Sequence, residues 1–120
     1  MEFTYQEKIA IMRILLDIIH ADGIIDERET FFFNKLKERF GLEDNVVKEK
    51  NSLIALAQIK LLNEGQKEEF SKLMSKMIIV DDDINANEVA IYDVVADFCN
   101  IGLSLEANIG EDKLQSCSKS

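Results

Sequence analysis

Between residues 5 and 21 apolar side chains crowd most of the way round a helix. Ile11, Leu15, Ile18 and Ile19 share one face, and Met12, Ile14 and Leu16 widen it. Ala10, Arg13 and Asp17 remain as a narrow polar strip. A stripe at helical spacing marks an amphipathic helix, and an arc this wide predicts a central helix covered by others. Asp22-Gly23 breaks it, glycine supplying the turn geometry. From 26 to 40 the stripe narrows to Phe32, Phe33, Leu36 and Phe40. Asp26 is the expected N-cap, Glu29 closes a capping box three residues on, and Gly41 ends the helix. Residues 43–60 hold one or two shorter helices around Val46, Val47, Leu53, Ile54, Leu56 and Ile59, and the pattern does not place the break. Over 64–80, Phe70, Leu73, Met74, Met77 and Ile78 fall in step, with Asn63 as cap and Gln66 answering it. A last long helix covers 85–100, with Asn85 as N-cap and Glu88 at N3. Past Leu103 the period is lost, so a helical domain over 1–105 is expected to carry a polar tail over 106–120.

The strongest signal is an internal repeat. Asp22-Gly23-Ile24-Ile25-Asp26-Glu27-Arg28-Glu29 recurs as Asp81-Asp82-Asp83-Ile84-Asn85-Ala86-Asn87-Glu88, each residue 59 positions on. The register carries Phe32 to Ile91, Phe33 to Tyr92, Leu36 to Val95 and Phe40 to Cys99. Upstream it carries Leu15 to Met74 and Ile19 to Ile78. It slips by one residue where Gly41-Leu42 meets Gly102-Leu103. The expected fold is therefore all-α, a compact bundle of about five to seven helices. Two pseudo-symmetric helix–acidic turn–helix units would build it about a pseudo-twofold axis.

The run from Ala21 through Asp22-Gly23-Ile24-Ile25-Asp26 to Glu29, closed by Gly41-Leu42, resembles the TerB-like family associated with tellurite resistance. The DjlA N-terminal-like domains of membrane co-chaperones are similar. The second copy, from Val80 to Glu88 and Gly102-Leu103, fits that family's habit of repeating the unit. It departs at Asp82, where a glycine is usual. The resemblance spans most of residues 5–103. It implies an all-helical, cytoplasmic-facing protein linked to stress or metal-oxyanion responses, and it brings no defined chemistry.

Composition removes several classes of function. The chain has 120 residues, with 14 Lys and Arg against 23 Asp and Glu, for a net charge of −9. Such a chain offers no basic patch to a nucleic-acid backbone or an anionic membrane surface. No apolar run approaches the roughly 18 residues of a membrane span, so no membrane insertion is expected. Proline is absent and glycine numbers five, as suits helices. Cys99 and Cys117 form no Cys-x-x-Cys pair, which fits a reducing interior. With no basic, apolar leader at the N-terminus, the expected location is cytoplasmic.

Two kinds of chemistry remain. An EF-hand with Gly23 at its sixth position would place Ile18 and His20 where oxygen ligands belong, and the second copy would place Met77 and Ile79 there. That motif is excluded. A looser cation site is still open, because Asp22 and Asp26, and more so Asp81, Asp82 and Asp83, sit beside the orphan carbonyls of a helix end. Oxygen-rich surroundings suit a divalent cation of the Ca²⁺ or Mg²⁺ class, though no cofactor is certain. Asp26, Glu29, Asn85 and Glu88 are equally explained as capping residues. The alternative is binding to an unidentified protein partner, a homodimer included. Residues 81–97 carry six acids and no base, and Asp93 and Asp97 stand four apart on the outer helix face. Phe31 points away from its helix's apolar stripe and could anchor a partner. His20 is expected to be a partly buried, hydrogen-bonded core residue. Cys99, matching Phe40, is expected to face the core, where thiols are inert. With no nucleophile–base pair, acid pair or phosphate loop, an enzyme is not expected.

Overall fold

A computed structural model describes residues 2–21, 23, 26–80 and 84–102. Among them lie six α-helices and no strand: α1 (Tyr5–Ile19), α2 (Glu27–Phe40), α3 (Asp44–Glu49), α4 (Ser52–Lys60), α5 (Glu64–Ile79) and α6 (Ala86–Phe98). The acidic residues Asp22 and Asp81–Asp83, and the segment 103–120 with Cys117, lie outside the described residues. No helix is long and apolar enough to cross a membrane.

The wide apolar arc of α1 makes it the hub. Eight of its residues are buried, and it packs against each of the other five helices. Fully burying one Leu or Ile contributes roughly 1.5–3 kcal/mol, so this one helix supplies a large share of the core energy. The polar strip is narrower than the sequence suggested. Ala10 is fully buried, and Arg13 and Asp17 alone remain from that strip, half-buried. A methyl group is small enough to sit under a packed neighbour, so Ala10 marks no surface.

The repeat is carried element by element. Thr4 caps α1 in a reciprocal box with Glu7, and Asn63 caps α5 in the same way with Gln66, 59 residues on. Asp26 and Asn85 occupy the matching N-caps of α2 and α6. α1 packs on α2 and α6, and its mate α5 packs on α6 and α2, the exchange that a pseudo-twofold requires. The equivalent residues Glu7 and Gln66 come within 3.5 Å of each other, which puts them beside that axis.

The slip at the end of the repeat is not real. Gly41 ends α2 with φ of 70°, and the residue that ends α6 in the same left-handed conformation is Asn100, with φ of 59°. Leu42 N donates to Lys37 O at 3.1 Å, and Ile101 N donates to Ala96 O at 2.8 Å. Both are the six-residue closure of a Schellman motif, and both sit 59 apart. Asparagine tolerates this conformation because its short amide bonds locally. The Gly102-Leu103 pairing followed the glycine when the backbone followed the asparagine.

The α2 stripe is also rotated from its expected line. Glu29, Phe33 and Leu36 are buried, while Phe32 and Phe40 are half-buried. α6 repeats this as Glu88, Tyr92 and Val95. The sequence line was drawn through apolar residues only, and a glutamate heads each buried stripe. Between the two units Lys50 is extended, and Asn51 opens α4 by accepting from Leu53 N at 2.9 Å and Ile54 N at 3.0 Å.

Candidate functional site

Four of the five candidate cation ligands, Asp22, Asp81, Asp82 and Asp83, lie outside the described residues. The fifth, Asp26, is used as a cap: its carboxylate accepts from Arg28 N at 2.8 Å and Glu29 N at 3.3 Å. Asn85 does the same work for α6, accepting from Asn87 N at 2.8 Å and Glu88 N at 3.3 Å. Glu29 and Glu88 stand at N3 and are buried, each 2% exposed. Among the described residues no group of three or more His, Cys, Asp or Glu is placed to hold a metal ion.

His20 is a correction. It is exposed, at the C-cap of α1, where its backbone N–H closes on Leu16 O. The apolar arc ends at Ile19, and the following residue turns outward to solvent. Cys99 is fully buried as expected, and its thiol lies 3.6 Å from Leu56 O. Burial pushes its pKa up, with Lys67 and Lys60 pulling weakly the other way. A thiol kept protonated in this way is a poor nucleophile.

Phe31 is exposed on α2, with the Lys35 ammonium 5.4 Å from its ring centre. Asp93 and Asp97 are exposed on α6, and neither has an ion-pair partner among the described residues. Phe31 and the two aspartates belong to different faces. α2 packs on α1 and α5, whereas the aspartates lie on α6, which lines a groove together with α1 and α4.

That groove went unseen in the sequence. Ile14 of α1, Leu56 of α4, and Ala90, Ile91, Val94 and Val95 of α6 form its apolar floor, with a cavity of about 330 Å³. Asp17 and Ser52 close one end. Ser52 Oγ donates to Asp17 Oδ2 at 2.7 Å and accepts from Arg13 Nε at 3.1 Å. Arg13 also donates to Asp17 Oδ1 at 2.7 Å and to Lys48 O at 3.1 Å. One guanidinium thus fixes α1 to the end of α3 and the start of α4, which sets the groove's width. Small Ala90 keeps it open. In the other unit the equivalent position is Phe31, 59 residues earlier. On the groove's outer lip, Val94 and Phe98 are exposed, and the Lys60 ammonium lies 5.0 Å from the Phe98 ring centre. A signal was present: Leu53-Ile54-Ala55-Leu56-Ala57 is apolar all round a nine-residue helix. Such a helix is either buried or bound, and α4 is buried on one side only.

No family model matches this chain, and no curated protein is significantly similar to it. Among solved structures it is similar to a protein of unknown function from Porphyromonas gingivalis W83. The match has a TM-score of 0.72 and 23% identity, and it covers 91% of this chain and 96% of that one. The likeness shows a shared fold.

Proposed function

We propose that this chain is a non-enzymatic protein-interaction module of the TerB-like kind, acting in the cytoplasm. Its groove between α1, α4 and α6 receives an amphipathic helix with basic residues along one edge. The observation that carries this reading is the apolar floor, one of whose helices, α6, also carries two exposed carboxylates without an ion-pair partner among the described residues. Asp93 and Asp97 run along α6 next to Val94 and Phe98, and residues 84–102 contain no Lys or Arg. An apolar helix face would fill the groove, and its basic edge would meet the two carboxylates, which speeds encounter and fixes orientation. The resemblance to the TerB-like motif supports the family, and the free thiol of Cys99 supports a reducing compartment.

The test is titration with a labelled amphipathic peptide of leucines and lysines, followed by fluorescence anisotropy and amide-shift mapping. Micromolar binding is expected, with shifts confined to α4 and α6. Val94→Glu should weaken it at least tenfold, and Asp93→Lys with Asp97→Lys should do the same while flattening the salt dependence. Equal binding of an acidic counterpart peptide, or shifts on α2 and α5 instead, would refute the site.

A second reading concerns the acidic turns. Asn85 caps α6, and three further carboxylates, Asp81, Asp82 and Asp83, precede it in the sequence, more than one turn needs. Under this reading they hold a divalent cation, and the module serves a metal-stress response. Metal-stripped protein should then gain several degrees in Tm with millimolar Ca²⁺ or Mg²⁺. Asp81→Asn with Asp83→Asn should abolish the gain, and a shift unchanged in that variant would remove the assignment.

A further inference from the structure

α4 turns Ser52 and Leu56 into the groove and shows solvent a different, wholly apolar face. Leu53 is 76% exposed, Ile54 55% and Leu61, the helix's C-cap residue, 85%, with Ala57 exposed between them. Single exposed leucines are ordinary, but a full-length stripe of them marks an interaction surface. We infer that α4 pairs with the α4 of a second copy of this chain, antiparallel, about a twofold axis through Ala57.

Three observations select a second copy. First, the stripe is its own complement. Leu53, Ala57 and Leu61 are spaced four and four, so reversal about Ala57 lays Leu53 of one copy on Leu61 of the other, twice. A C2 interface requires this self-complementarity, and the alanine at the crossing lets the helices approach closely. Second, a chain of net charge −9 repels its copies over most approaches, yet Ser52–Lys60 carries no carboxylate. Its one charge, Lys60, leans over its own Phe98. Two copies meeting at α4 keep Asp93 and Asp97 off the contact. Third, the exposed leucine and isoleucine surface of α4 falls short of the about 800 Å² per partner of a standard interface, as suits a weak, concentration-dependent dimer.

This pairing uses a face of α4 other than the groove, so it can fail while the groove reading stands. Sedimentation equilibrium of the full chain from micromolar to near-millimolar concentration should show the mass climbing from 13.7 kDa toward twice that value. Leu61→Glu should hold it at the monomer, with the circular dichroism spectrum unchanged because the side chain lies in solvent. In a Cys117→Ser background, Ala57→Cys should cross-link to a dimer on oxidation, and Phe31→Cys on α2 should not. A monomer at every concentration, a dimer that survives Leu61→Glu, or cross-linking at position 31 in place of 57 would each overturn the pairing.

Discussion

Phe70→Ala is expected to cost about 3–5 kcal/mol, much of the total stability of a domain this size. Phe70 is fully buried on α5, and α5 is the less apolar counterpart of α1 in the second unit. Where α1 has Met12 and Leu16, α5 has Ser71 and Ser75, 59 residues on. Both serines are buried and turn their hydroxyls back onto their own helix, Ser71 Oγ to Glu68 O at 2.7 Å and Ser75 Oγ to Ser71 O at 2.9 Å. They add little apolar area, so the phenyl ring carries much of the packing there. Its removal leaves a cavity that flanking serines cannot fill. Urea unfolding would read the loss as a fall in midpoint at constant slope. A loss under 1 kcal/mol would mean that Phe70 is not enclosed as described.

Arg13→Ala is expected to cost about 2–3 kcal/mol, because hydrogen bonds to a charged group are worth about 1.5–3 kcal/mol and two of the partners, Asp17 and Ser52, are left half-buried. The change strips donors from Ser52 Oγ, Lys48 O and Asp17 Oδ1 at once. Arg13→Lys should recover only part of the loss. An ammonium can pair with Asp17, but it lacks the planar fork that spans three acceptors. The same variants should loosen the groove, since α4 loses its tie to α1. Chemical denaturation and the peptide titration would report the two effects together, and a stable Arg13→Ala protein with full peptide affinity would separate the clamp from the groove.

How far the sequence could be read follows from what each residue advertises. The caps Asp26, Asn63 and Asn85 were legible because a capping side chain acts within three residues of itself, and the hub character of α1 was legible because burial leaves an apolar arc. Asn51 was not, since nothing near it contrasts with a polar loop. The left-handed stop of α6 was misread at Gly102 because glycine is the commoner sign of that conformation, and Asn100 is the rarer one. Glu29 and Glu88 were legible as N3 capping residues, but only three-dimensional packing reveals that they are buried. The groove is the largest omission. It arises where three helices meet that are distant in sequence, and no local pattern encodes such a meeting. Phe31, Asp93 and Asp97 were found because exposure can be read from the spacing of a single helix. Their assignment to separate faces could not be read in that way.

The contact of α1 with all five other helices bears on how the molecule comes apart. In a bundle where helices touch only their neighbours, an end helix can peel away while the remainder holds. Here any helix that leaves uncovers part of α1, and the exposed core strands the rest. Partial openings are therefore expensive relative to complete ones, and the fold is disposed to lose its structure in a single cooperative step rather than in stages.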